Sequence, residues 1–183
     1  KSVTRIGREA FIGCRSLTSV IIPDSVSIIG WAAFVGCSSL KNITIPDKVT
    51  SIVDHAFAHC TSLTSIIIPQ GITRIGQQTF NNCTSLTSIN IHENVYTIGL
   101  HAFENCTSLK NITIAKGVKS IRSYAFSGCN NLTSITIPDS IKEIGNDAFK
   151  GCTSLTSVTF LGDSPESHLV GPSPFDEAAT IYR

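Results

Sequence analysis

Cysteine is the residue type of this chain with the widest chemical repertoire, and its spacing is regular. One cysteine recurs every 23 residues, at Cys14, Cys37, Cys60, Cys83, Cys106, Cys129 and Cys152. Thiols at a fixed interval could form disulfides, bind a metal ion, catalyse a reaction or pack in a core. No C-x-x-C pair occurs and no histidine recurs beside the cysteines, so the spacing argues against a zinc site.

Disulfides fit this spacing less well than buried thiols do. If equivalent residues stack in neighbouring coils, their Cβ atoms lie about 4.8 Å apart, as parallel strands do, whereas a disulfide needs about 3.5–4.5 Å. Seven cysteines would also leave one thiol unpaired. Cysteine is small and often fully buried. We therefore predict a ladder of free, buried thiols at the corner where a turn meets a strand.

The other polar residues form no catalytic motif. The five histidines are His55, His59, His92, His101 and His168. His55 and His59 are four residues apart beside Asp54, which resembles a metal-binding pair, but surface histidines are the simpler interpretation. The sequence contains no nucleophile–base–acid set, paired-carboxylate site or phosphate-binding glycine loop. We therefore predict a non-catalytic protein without a cofactor or a metal.

The cysteines belong to a repeat that predicts the fold. Three other columns keep one residue type through seven copies at the same interval: Phe11 to Phe149, Leu17 to Leu155 and Ile6 to Ile144. The run Leu17-x-x-Val20-x-Ile22 matches the strand signature of leucine-rich repeats, and its β-branched residues favour a strand. A short second strand is predicted at Val26–Ile29, and a helical or 3₁₀ turn at Trp31–Phe34.

No copy can bury its apolar side alone, so the copies must stack. The predicted fold is a right-handed, β-rich solenoid of the α/β leucine-rich-repeat type. It has seven 23-residue repeats, a parallel strand ladder, short convex strands and short helical turns. Residues 1–160 form the solenoid, which starts within a repeat, so we expect further coils or a cap before Lys1. Residues 161–183 are predicted to be a C-terminal cap, in which Phe175 and the strand Thr180–Tyr182 cover the last coil.

The repeat resembles a known family. The pattern IGxxAFxGCTSLTSIxIPDSV, of which Ala148–Phe160 is a close match, resembles the BspA-like or treponemal class of leucine-rich repeats over about residues 1–160. Members of that class are typically cell-surface or secreted proteins of bacteria and of some mucosal protozoa, and many are thought to act in adhesion. The resemblance therefore implies a cell-surface or extracellular location and a binding function.

Two surfaces of the predicted solenoid are candidates for partner binding. The outward residues of the strand ladder form two columns that include Ser19, Ile21, Asn42, Thr44, Ser65, Ile67, Ser88, Asn90, Asn111, Thr113, Ser134 and Thr136. They lack aromatic and arginine anchors, so a solvated sheet face is the plainer interpretation. The repeats differ from one another in the two residues that precede each Ala-Phe or Thr-Phe. The bulkiest candidates there are Trp31, His55, His101 and Tyr124, for which ordinary surface drift is the alternative.

Composition limits the possible partners. The formal net charge is +1 and charged residues make up 15% of the chain, which disfavours nucleic acid as a partner. The apolar runs are too short to cross a bilayer. We expect an interaction module with a protein or glycan partner. The alternative is a structural spacer that presents another domain and has no ligand of its own. A Ser-x-Thr array also suggests ice or crystal binding, but isoleucines and Asn90 interrupt it.

Overall fold

The chain folds into a β-solenoid of about seven turns. The computed structural model describes residues 2–162, 174–175 and 180–182. Paired residues in neighbouring coils are one 23-residue repeat apart, as Arg5 with Ile28 and Ser88 with Asn111 show. The predicted stack of repeats with parallel strands is therefore confirmed.

The coils are joined by two parallel ladders. The main ladder contains one sheet of β5 (Ser88–Ile91) and β7 (Asn111–Ile114) and a second sheet of β9 (Ser134–Ile137), β11 (Ser157–Phe160) and β12 (Thr180–Tyr182). The short ladder contains β1 (Arg5–Ile6), β2 (Ile28–Ile29), β3 (Ser51–Ile52), β4 (Arg74–Ile75), β6 (Thr97–Ile98), β8 (Ser120–Ile121) and β10 (Glu143–Ile144). Two isolated bridges, Ile21 with Thr44 and Asn42 with Ser65, continue the main ladder into the first three coils.

The segment between the two ladders differs from the predicted helical turn. Among the described residues there is no helix, and Trp31–Phe34 form consecutive turns. Ala32 and Gly36 have left-handed φ angles of 53° and 71°, so alternate N–H groups point toward the next coil. The Phe34 N–H donates to the Ala56 carbonyl at 2.8 Å, and the following N–H bonds within its own turn. In the observed turns, the alternate N–H groups that point out of the segment link neighbouring coils.

Two columns of each coil carry left-handed backbone. The residue before each cysteine has a positive φ, at Gly13, Gly36, His59, Asn82, Asn105, Gly128 and Gly151. Glycine, asparagine and histidine are common in this conformation. The second column lies two residues before each phenylalanine, at Glu9, Ala32, His55, Gln78, His101, Tyr124 and Asp147. Several of these residue types disfavour a positive φ, so the hydrogen bonds between coils must hold them there.

A column of phenylalanine rings runs through the core. Neighbouring rings from Phe11 to Phe149 have centroids 5.0–5.7 Å apart and are nearly parallel. From Phe34 to Phe149 every ring of this column is fully buried. Phe57 and Phe80 lie 5.7 Å apart, so residues one repeat apart stand directly over one another. Offset stacking of this kind adds to the energy of apolar burial.

The short ladder is interrupted between the third and fourth coils. β1, β2 and β3 form one sheet, and β4, β6, β8 and β10 form another. In the described ranges, no backbone pairing joins β3 to β4. A cleft of about 270 Å³ lies at the break, lined by residues 50–53 and 72–74.

The last coil is covered in part by residues near the C-terminus. The Phe175 ring lies 5.0 Å from that of Phe149, and β12 pairs in parallel with β11. Residues 163–173, 176–179 and 183 of the predicted cap lie outside the described residues, as does Lys1. The division of the chain between residues 160 and 161 stays a prediction.

Candidate interaction surfaces

The cysteines form a ladder inside the solenoid. The Cys37 thiol donates to the Phe11 carbonyl at 3.2 Å, and the same contact recurs one coil at a time as far as Cys152 and Phe126. All seven cysteines are free and six are buried. Cys14 is exposed because no coil of this chain lies over the first one. The predicted ladder of buried thiols is therefore confirmed for the other six.

Burial makes these thiols poor nucleophiles. Loss of solvation raises the pKa of Cys37 to about 11 and that of Cys83 to about 12. The same cause raises the pKa of Cys60, Cys106 and Cys129. Because the thiolate is the reactive and metal-binding form, the buried cysteines act as packing.

The front face consists of the outward columns of the main ladder and its bridges. All twelve front-face candidates are exposed. Ile21 and Ile67 are 94% and 84% exposed, and Thr44 lies in the coil between them, bridged to Ile21. The face is therefore a regular array of small polar side chains with two fully presented isoleucines in its first three coils.

Hydroxyl groups at one edge of the front face bond to the backbone. The Thr64 hydroxyl donates to the Lys41 carbonyl at 3.3 Å, and the Thr87 hydroxyl donates to the Thr64 carbonyl at 3.3 Å. Thr156 makes the equivalent contact with Thr133. These bonds tie neighbouring coils together and restrict the side chains along this edge.

The turn face, which carries the paired residues before each phenylalanine, holds its four candidates as two separate pairs. The rings of Trp31 and His55 have centroids 5.4 Å apart, and the Arg8 guanidinium lies 4.1 Å from the centroid of the Trp31 ring. His101 and Tyr124 stack at 4.9 Å with an interplanar angle of 7°. All four candidates are half-buried. The structure thus joins Trp31 to His55 and His101 to Tyr124, but does not bring the four together.

The two halves of the turn face differ in polarity. A groove of about 240 Å³ beside the first pair is lined mainly by apolar groups, including Ile12, Trp31, Val35 and Ala58. Its polar lining includes His55 and His59. Among the described residues, no group of three or more potential metal ligands is found.

Charged groups surround the second pair. Glu104 Oε2 accepts a hydrogen bond from Asn81 Nδ2 at 2.9 Å and lies 3.0 Å from His101 Nδ1. A hydrogen bond with the Asp147 carboxylate raises the pKa of Tyr124. The turn face therefore has an apolar groove beside Trp31 and His55 and charged groups beside His101 and Tyr124.

Sequence reasoning missed a polar cluster at the interruption of the short ladder. The Asp54 carboxylate is hydrogen-bonded to the Arg74 guanidinium and accepts from the Gln77 N–H at 2.9 Å. The available signal was a departure from the repeat: Val53 replaces a glycine found in five other copies, and Thr79 replaces an alanine found in the other six.

The sequence and the fold both match known leucine-rich repeat proteins. The sequence profile of the BspA type leucine rich repeat region matches residues 4–132 and 75–167, in six copies. No curated protein matches the chain. In the part of the chain that the structure describes, no helix has the length and apolar character needed to cross a membrane.

Three solved structures of leucine-rich repeat proteins are similar to this chain. A leucine rich cell surface protein of Faecalibacterium prausnitzii A2-165 is 37% identical with a TM-score of 0.78, over 88% of this chain and 44% of that one. A leucine rich repeat protein of T. pallidum is 36% identical with a TM-score of 0.76, over 84% and 72%. One from Bacteroides ovatus is 27% identical with a TM-score of 0.53, over 97% and 57%. The chain thus spans less than half of the Faecalibacterium protein.

Proposed function

Because this chain belongs to the family of BspA-type leucine-rich repeat proteins, we propose that it is a non-catalytic interaction module that binds a protein or glycan partner in adhesion. Family membership supports a protein-interaction or structural role. Solenoids suit such a role because stacked coils create long, continuous surfaces. In this proposal the protein is displayed at the cell surface or secreted, as the similarity to a cell surface protein of Faecalibacterium suggests.

The front face carries the proposal. Ile21 and Ile67 are almost fully exposed, although they occupy a rigid column in which Thr44 is the intervening residue. These two side chains share one face, so a partner that spans the first three coils could contact both. Because hydrogen bonds between coils already fix the backbone of this face, binding would cost little backbone entropy.

A structural spacer is the second candidate. The front face contains no aromatic or arginine side chain among its candidates, and such side chains usually anchor protein interfaces. A stiff rod of coils would also hold another domain away from a surface. This role requires no ligand of its own.

Binding of the isolated chain separates the two candidates. The chain would be applied to immobilised extracellular-matrix proteins and to a glycan array, together with the double variant Ile21→Lys/Ile67→Lys. Tyr96→Lys is a matched control because Tyr96 is also exposed, at 55%, but lies beside the short ladder. We expect the double variant to lose binding and the Tyr96 variant to retain it.

Two outcomes would contradict the proposal. Absence of binding to every surface would favour the spacer. Equal binding by the wild-type chain and the double variant would remove the front face as the site.

A further inference from the structure

The junction between the third and fourth coils departs from the repeat. At the other coil junctions of the short ladder, the residues directly before and after each strand donate their N–H groups to carbonyls of the preceding coil. Tyr96 donates to Thr73 in this way, and Gly99 donates to Ile75. Among the described residues the equivalent N–H groups of Thr73 and Gly76 make no such bond. The break therefore leaves backbone donors and acceptors available beside a cleft.

Polar side-chain atoms already occupy the position that a Cβ atom at residue 76 would take. A Cβ atom placed there would collide with Asp54 Oδ1 and would lie 3.2 Å from Thr79 Oγ1 and 3.3 Å from Arg74 Nη2. The nearest atoms to a Cβ atom at Gly99 would instead be backbone atoms of the preceding coil. A carboxylate, a hydroxyl and a guanidinium thus converge on Gly76, where other coils place main chain.

The Thr79 hydroxyl is the least expected member of this group. Thr79 is only 1% exposed, and its Oγ1 has no hydrogen-bond partner in the structure. A buried hydroxyl without a partner is destabilising, and alanine fills this column in every other copy. Because this hydroxyl is out of contact with solvent, Thr79 marks the junction as irregular but would not itself contact a bound molecule.

A second cleft, distinct from the one of about 270 Å³ at the break, opens over Gly76, and its charges balance. It has a volume of about 370 Å³, and its lining includes Asp54, Arg74, Gln77, Thr97 and Arg122. The Arg74 guanidinium is paired with Asp54, and Arg122 Nη1 lies 2.8 Å from Glu143 Oε1. Two cations offset by two carboxylates do not favour an anion such as a phosphate or sulfate group. Alternating donors and acceptors instead suit a neutral, polyhydroxylated ligand.

We propose that this cleft binds one neutral sugar unit of a glycan, with the Asp54 carboxylate accepting from sugar hydroxyls and with Arg74 and the Gly76 N–H donating to sugar oxygens. This site rests on the glycan branch of the proposed function and adds a location that the front face does not provide.

Nuclear magnetic resonance titration of the whole chain with neutral monosaccharides tests the site. The probes are glucose, galactose, mannose and N-acetylglucosamine, with inorganic phosphate as the anionic comparison. We expect at least one sugar to shift the backbone amides of residues 73–77 at saturable concentrations. Arg74→Gln should weaken that affinity about tenfold, the effect of losing one charge-assisted hydrogen bond.

Two variants separate binding from folding. Arg5→Gln is the matched control, because Arg5 is exposed and begins a short strand as Arg74 does; it should leave affinity unchanged. Thr79→Ala restores the residue of the other copies, so it should keep or raise thermal stability, and because Thr79 does not line the cleft it should leave sugar binding unchanged.

Three results would overturn the site. These are no sugar-dependent shift at residues 73–77, equal effects of Arg74→Gln and Arg5→Gln, and tighter binding of phosphate than of any sugar. If the chain still binds a matrix protein through the front face, the proposed function stands without this site.

Discussion

Among single residues, the cysteines make the same packing contact in one coil after another. Each buried thiol fills a tight corner and donates weakly to a phenylalanine carbonyl of the preceding coil. The spacing predicted free, buried thiols because residues one repeat apart meet in a parallel stack. The carbonyl partner was not predictable, since it depends on the left-handed residues that shape the turn.

Stability should fall in alkaline solution because of these thiols. Burial raises the pKa of Cys83 from its ordinary value of 9.0 to about 12, so the folded chain keeps a proton that the unfolded chain releases. The stabilisation is complete below about pH 9 and is lost as the pH rises toward 12. Urea unfolding under reducing conditions at pH 8 and at pH 10.5 would measure the loss.

Cys83→Ala is the variant for this comparison. Removing one titrating thiol should reduce the alkaline loss by about 1.4 kcal/mol per pH unit. Identical pH dependence in the variant and the wild-type chain would contradict a thiol origin.

At the scale of elements, the glycines after the short strands set how closely coils approach. A Cβ atom at Gly99 would lie 2.7 Å from the backbone of Gly76, and one at Gly30 would lie 2.8 Å from that of Gly7. The repeated Ile-Gly pair was visible in the sequence, but the reason for the glycine became clear only from the distance between neighbouring coils. The helical-turn prediction was wrong for a related reason: alternate N–H groups of that segment bond to the next coil.

The loss of stability caused by replacing one of these glycines should depend on the atoms that surround it. Gly99→Ala is expected to destabilise the chain by about 1–3 kcal/mol, because the methyl group must displace main chain. Gly7→Ala is the control, since nothing lies within 4 Å of a Cβ atom there. Chemical denaturation of both variants gives the comparison, and equal stabilities would show that the coils separate easily at this position.

At the scale of the whole molecule, each coil is stabilised by its neighbours, so the ends of the stack need cover. Phe175 continues the phenylalanine column beyond Phe149 and also meets Phe160 edge-on, with centroids 6.3 Å apart. β12 adds a strand beyond β11. Both contacts support the prediction of a C-terminal cap.

Truncation of Phe175 should therefore destabilise the solenoid. Phe175→Ala is expected to cost about 3–5 kcal/mol, as for other buried phenylalanines, because Phe175 is only 6% exposed. Phe11→Ala at the other end should cost less, since Phe11 is half-buried. Thermal unfolding of the two variants would measure this difference, and a larger loss from Phe11→Ala would count against the cap.

The repeat length, the parallel stack, the buried columns and the free thiols could all be predicted from the sequence. An uninterrupted repeat places equivalent residues in equivalent surroundings, so one copy predicts the others. The positions at which the copies stop being equivalent became visible only in the folded chain. The left-handed turns, the interrupted short ladder and the convergence of Asp54, Arg74 and Thr79 on Gly76 depend on distances between coils. Local sequence patterns do not contain those distances.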